Sequence, residues 1–165
     1  MDHLHTTLAI EQNSSAAADA IIGGRPIPSK IYDKKGVIRK VIDRGLIPDR
    51  DLRKMACKWA EKVLIDAGVD DNIIDLVRMV GASSDSPDIL RALNVTAREC
   101  TKDGSALISF MAVRVSDPDI KTSMITVAET AVAYFGTRIR GNDWSEVYNS
   151  TWSSFLEDIA RKFYS

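Results

Sequence analysis

The chain has 165 residues, of which 45% are hydrophobic and 27% charged, so it is too short for two large separate cores and too apolar for a wholly disordered protein. Its 22 Lys and Arg against 23 Asp and Glu give a formal net charge of −1, which favours neither a nucleic-acid binder nor an acidic solvating chain. Two cysteines, Cys57 and Cys100, are too few for a disulfide scaffold, and every apolar run is far shorter than the roughly 20 residues that span a bilayer. We therefore expect a cytoplasmic or nuclear protein with no membrane partner.

Residues 1–28 are predicted to form a flexible arm that ends in a hinge. The first part of this segment is rich in Ser, Thr, Ala and Asn and shows little hydrophobic periodicity. Gly23 and Gly24, followed by Pro26 and Pro28, interrupt any regular structure before the rest of the chain.

Helix start and stop signals alternate from Asp33 onward and predict one all-helical domain over residues 29–165. Starts are indicated by sequences such as Ser86-Pro87-Asp88, and stops by glycines such as Gly81. No segment alternates in the manner of a strand, so the predicted fold class is all-α, a compact bundle of six or seven amphipathic helices after the arm. The predicted helices are 33–44, 49–67, 70–80, 87–100, 105–115, 118–140 and 144 to near the last residue.

The charge divides unevenly along the chain. Residues 1–24 carry three acids and no Lys or Arg, residues 25–58 carry eleven bases and four acids, and residues 59–165 carry eleven bases and sixteen acids. The three local net charges are therefore −3, +7 and −5, and the neutral total is a cancellation. The domain is predicted to consist of a basic helical pair, 33–67, and an acidic body, 68–165.

Helical geometry places most cations of this basic pair opposite its apolar residues. The shortage of interleaved acids favours a phosphate-binding surface over a merely solvated one, because a solvating face usually mixes charges of both signs. The predicted nucleic-acid-binding residues are Lys34, Lys35, Arg39, Lys40, Arg44, Arg50, Arg53, Lys54 and Lys58, with Lys62 on the same side of its helix and Arg138 and Arg140 as an extension.

Catalytic and metal chemistry find little support in the sequence. The two histidines, His3 and His5, both lie in the predicted arm, away from any nucleophile. Asp70, Asp71 and Asp75 lack the spacing of a magnesium-diphosphate motif, and Asp70 and Asp71 are interpreted as residues that cap a helix and complement its dipole. We therefore predict no enzyme activity, no cofactor and no metal site.

This charge layout predicts a non-enzymatic helical assembly protein that associates with nucleic acid, with the design logic of an RNA-coating, capsid or nucleocapsid protein. Trp144, Tyr148 and Tyr164 on the last predicted helix are candidate subunit contacts, since such residues are enriched at interfaces. The expected partners are RNA or another polyanion, together with a second copy or another protein. The alternative is an intracellular adaptor or regulator whose helical groove binds a partner helix, with no nucleic-acid role.

Overall fold

The computed structural model describes residues 2–83, 86–100, 106–138 and 144–164. Over these ranges the protein contains eight α-helices and no β-strand, which confirms the predicted all-α class. The helices are α1 Asp2–Ile22, α2 Lys34–Asp43, α3 Asp49–Asp66, α4 Asp71–Ser83, α5 Pro87–Cys100, α6 Ala106–Ile108, α7 Ile120–Thr137 and α8 Trp144–Ala160. A π-helical segment, Ser109–Val113, follows α6 directly. Helices α2 to α8 lie on the seven predicted segments.

Two of the differences between the predicted and observed helix boundaries have a clear local reason. Helix α4 passes through Gly81 and ends at Ser83, and a Cβ at Gly81 would lie 3.2 Å from the Cβ of Cys57. This glycine therefore serves close helix packing and does not stop the helix. Helix α7 begins at Ile120, later than predicted, because the Asp119 side chain caps it.

The chain divides into two compact units, residues 1–47 with 149–165 (unit 1) and residues 48–148 (unit 2). The domain boundaries expected from the sequence stay a prediction.

In unit 1, α1 packs against α2, so the flexible arm predicted over residues 1–28 is not confirmed. Ala17, Ala18 and Ile21 of α1 are buried, and the Ser14 hydroxyl accepts a hydrogen bond from the Asp33 amide at 3.0 Å. Alanine favours helix strongly but contributes little hydrophobicity, so the buried side of α1 leaves no visible apolar stripe in the sequence.

In unit 2, α3 is the central helix and packs against both α4 and α7. Its buried side chains include Leu52, Trp59 and Val63, which extend along most of its length. Helix α4 also contacts α5, and α5 contacts the π-helical segment, so the elements after α3 form a continuous series of packed neighbours.

The buried end of α1 is expected to contribute to stability. Ile21→Ala should lower the free energy of unfolding by about 2–4 kcal/mol, because it leaves a cavity where a fully buried side chain stood. Leu8→Ala, on the same helix but with Leu8 53% exposed, should change it by less than about 0.5 kcal/mol. Urea denaturation followed by circular dichroism measures both, and equal effects would contradict the packing of α1.

Candidate functional site

The cations of α2, in unit 1, surround a buried apolar side. Val37, Ile38, Val41 and Ile42 are buried. Arg39 is exposed, while Lys34, Lys35 and Lys40 are partly exposed. Lys34 lies on the first turn and, by helical geometry, on the side of the buried residues.

Two acids reduce the positive charge on this part of unit 1. Arg44 donates to Asp19 of α1 at 2.7 Å, so its charge is balanced within the unit. Asp43 is exposed and, at 100° per residue, lies among the cations of α2. The positive face of α2 is therefore smaller than the sequence predicts.

The cations of α3, in unit 2, form a regular row. Arg50, Lys54, Lys58 and Lys62 follow one another at intervals of four residues, and all four are exposed. Residues four apart are neighbours on one helix face, and twelve residues at 1.5 Å each give the row a length of about 18 Å. We call these four residues the α3 basic row. It extends the predicted surface by one residue, Lys62.

The acids beside the α3 basic row already interact with cations. Glu61 accepts from Arg78 of α4 at 2.6 Å, and Asp49 lies 4.0 Å from the ammonium group of Lys121. Asp51 lies 4.0 Å from Arg50 within the row itself. Two of these three acids, Glu61 and Asp49, thus interact with cations outside the row, and Asp51 interacts with a cation of the row.

Arg53 does not belong to this surface, and its predicted placement on the exposed basic face is wrong. Its side chain is only 3% exposed, and its Nη1 donates to the carbonyl oxygens of Val115 at 2.7 Å and Asp117 at 2.8 Å. Arg53 stands four residues before Cys57 and seven before Ala60, which are both buried. It therefore lies on the buried side of the helix, and α3 buries a wider arc than its apolar residues alone indicate.

Burial also determines the chemistry of Cys57, one turn after Arg53. Desolvation by burial raises the pKa of the Cys57 thiol to about 12. The positive charge of Arg53 has a smaller, lowering effect on this pKa, and the negative charge of Glu61 raises it. The thiol is therefore protonated at neutral pH and is not a nucleophile.

Arg138 has a structural contact that the sequence did not indicate. Its Nε lies 3.1 Å from Asp66 at the end of α3, and its guanidinium stands 5.2 Å from the centroid of the Tyr134 ring. The Tyr134 hydroxyl donates to the same carboxylate at 2.7 Å. These contacts join α7 to α3 and balance the charge of Arg138, so they give no support to its role as an extension. Arg140 lies outside the described residues.

The candidate subunit contacts are exposed, as such a role requires. Trp144 and Tyr148 pack edge to face with ring centroids 6.2 Å apart on α8. Tyr164 is also exposed. Self-association through these rings stays a prediction.

A cleft in unit 2, of about 460 Å³, was not predicted from the sequence. Asn94 and Arg98 of α5 line one part of it, and Phe110 and Val113 of the π-helical segment line another. The residues that follow this segment complete the cleft, and they are Arg114, Asp117 and Pro118.

The π-helical segment accounts for the exposed aromatic ring in the cleft. Phe110 is 49% exposed although Ile108 and Met111 beside it are buried. A short π-helical segment is one extra residue inserted into an α-helix, and such segments are frequent at functional sites. The sequence here, Ala106 to Val115, is almost uniformly apolar and gives no indication of which residue faces outward.

Hydrogen bonds order the wall of the cleft. Arg98 Nε donates to Asn94 Oδ1 at 2.8 Å, and Asn94 Nδ2 donates to the hydroxyl of the buried Ser116 at 3.2 Å. Asp117 accepts from the Asp119 amide at 2.9 Å and from the Ser123 hydroxyl at 2.6 Å. The polar groups of the cleft are thus held in place by neighbouring residues.

Within the described ranges, no group of three or more His, Cys, Asp or Glu is arranged to hold a metal ion. None of the helices described combines the length and apolar character needed to cross a membrane. No family model, curated protein or solved structure matches the chain.

The buried contact of Arg53 is expected to stabilise unit 2. Arg53→Met keeps much of the side-chain volume but leaves the carbonyl groups of Val115 and Asp117 without their donor, which should cost about 2–4 kcal/mol of unfolding free energy. Lys54→Met, one residue further and exposed, should change this energy by less than about 0.5 kcal/mol. Denaturant titration compares the two variants, and a neutral Arg53→Met would contradict the assigned contact.

Proposed function

We propose that this protein is a non-enzymatic helical protein that binds RNA through the phosphate backbone, with the α3 basic row as its principal contact. The observation that carries the proposal is the row itself, four exposed cations in register along one helix face. Lys and Arg that neutralise phosphates release counterions from the nucleic acid, and this release drives binding without regard to sequence.

The spacing of the α3 basic row supports a role in binding, because like charges at this spacing destabilise the helix. Like charges four residues apart destabilise a helix by about 0.2–0.5 kcal/mol for each pair, and the row contains three such pairs. Among the described residues, Lys54 and Lys62 have no ion-pair partner that relieves this repulsion. A face that only needed to be solvated would alternate the signs of its charges.

The charge of the rest of the chain also supports the proposal. Residues 59–165 carry a net charge of −5, and Lys62 continues the row from the basic pair into this part of the chain. An ordered row of cations would contact RNA along a defined line of phosphates, because it concentrates positive charge on one face of α3.

The partly exposed cations of α2 would add a weaker contact from unit 1. Lys35, Arg39 and Lys40 contribute positive charge there, although Asp43 lies among them. We assign this helix a secondary part, since Arg44 is already paired with Asp19.

Removal of two cations from the α3 basic row should weaken RNA binding and its dependence on salt. For the double variant Lys54→Gln/Lys62→Gln, we expect lower affinity for a single-stranded RNA oligonucleotide and a log–log salt slope smaller in magnitude by about 1.4, since each lost phosphate contact accounts for about 0.7. Fluorescence anisotropy at several salt concentrations measures both quantities. Unfolding free energy should stay equal or rise, because like-charge pairs are removed.

The matched control is Arg25→Gln/Lys30→Gln, which removes the same charge from exposed positions between α1 and α2. This control should keep most of the affinity and the slope. Equal losses in both double variants would indicate a general charge effect, and an unchanged slope in Lys54→Gln/Lys62→Gln would reject the α3 basic row as the contact. A poly-glutamate competitor as effective as RNA would favour an acidic protein partner instead.

A further inference from the structure

We propose that the cleft of unit 2 binds a nucleoside monophosphate, either as a free nucleotide or as one unit of a single-stranded RNA. This inference goes beyond the proposed function, because it concerns other residues than the α3 basic row and does not depend on them.

Two arginines in the cleft provide the recognition of phosphate. Arg98 and Arg114 both line it, and the hydrogen bond to Asn94 restricts the orientation of the Arg98 guanidinium. No carboxylate of the described residues lies within ion-pair distance of Arg114. A planar guanidinium that is already oriented loses little entropy when it binds phosphate oxygens through two parallel hydrogen bonds.

Phe110 provides a surface for the base. Its ring is 49% exposed at the lining of the cleft, in a segment where Ile108 and Met111 are buried. Exposing a large aromatic ring to water has a cost, whereas stacking of a nucleobase on it contributes about 1–3 kcal/mol in known single-strand binding proteins. The π-helical segment thus places the ring of Phe110 in the same cleft as the guanidinium groups of Arg98 and Arg114.

The charge and size of the cleft are compatible with one nucleotide. Arg98, Arg114 and Asp117 give its lining a formal net charge of +1, which attracts a negatively charged phosphate group. Asp117 accepts hydrogen bonds from the Asp119 amide and from the Ser123 hydroxyl in the first turn of α7, and these bonds orient its carboxylate. A volume of about 460 Å³ is within the range of roughly 300–1,000 Å³ that is typical of small-molecule sites.

The wall of the cleft is also built to stay in place. The buried Arg53 donates a hydrogen bond to the carbonyl oxygen of Asp117. The hydroxyl of Ser116, which precedes Asp117, donates to the carbonyl oxygen of Val113 at 2.8 Å. A preformed site of this kind loses less free energy on ordering when a ligand enters.

Titration calorimetry with adenosine monophosphate tests the proposal on the full chain. Arg98→Gln and Arg114→Gln should each weaken binding about tenfold or more through the loss of a charge-assisted contact. Phe110→Ala should weaken it by about tenfold through the loss of stacking. Inorganic phosphate should bind more weakly than adenosine monophosphate and should not respond to Phe110→Ala.

Two matched controls lie on the same helix as Arg98. Arg91→Gln removes an exposed cation two turns earlier, and Val95→Ala truncates an exposed apolar side chain, so both should bind adenosine monophosphate as the wild type does. Amide chemical shifts of the wild-type protein, followed by NMR during the titration, should change at Phe110 and Arg114. This second measurement does not depend on whether any variant folds.

Absence of wild-type binding at millimolar nucleotide, or equal binding by Arg98→Gln, Arg114→Gln and wild type, would overturn the proposal. Equal affinity for inorganic phosphate and adenosine monophosphate would also overturn it, since the cleft would then be a simple anion site. A single-stranded RNA pentanucleotide distinguishes the two sources of the ligand. If Phe110→Ala loses binding of the pentanucleotide, the ligand is one unit of RNA. If Phe110→Ala loses binding of adenosine monophosphate only, the ligand is a free nucleotide. Lys54→Gln/Lys62→Gln should keep mononucleotide binding, which separates this site from the α3 basic row.

Discussion

The buried guanidinium of Arg53 connects the central helix of unit 2 to the chain that follows the π-helical segment. Its hydrogen bonds to the carbonyl oxygens of Val115 and Asp117 place a positive charge where main-chain oxygens would otherwise lack a donor. Two features meet at this contact. Helix α3 buries Arg53 together with its apolar side, so that Arg50, Lys54, Lys58 and Lys62 face outward, and the Arg53 hydrogen bonds reach Asp117, which lines the cleft.

Unit 2 therefore uses arginine for two different purposes on neighbouring elements. Arg53 is buried and acts on the main chain, whereas Arg98 and Arg114 line an open cleft. Lysines supply most of the α3 basic row, as suits a surface that contacts phosphate as a line of point charges. This division leads to the two proposals, phosphate-backbone binding along α3 and recognition of one nucleotide in the cleft.

The all-α class and the seven segments after residue 33 could be predicted because their caps, glycines and apolar spacing agree with one another. Helix α1 could not, since its buried side consists largely of alanine and carries little hydrophobic signal. Arg53 was placed on the wrong face because a charged residue is expected in water, and its acceptors are main-chain atoms more than sixty residues away. The cleft could not be predicted because the π-helical segment that exposes Phe110 lies in an almost uniformly apolar stretch. Hydrophobic periodicity there does not indicate which residues face outward.

Ultraviolet cross-linking of the full chain to a single-stranded RNA that contains 4-thiouridine tests whether α3 presents the line of contact to RNA. Mass spectrometry of the products identifies the cross-linked peptides. We expect cross-links on residues 50–62 that decrease as salt displaces the phosphates. Cross-links confined to other segments, or unchanged in number at high salt, would contradict it.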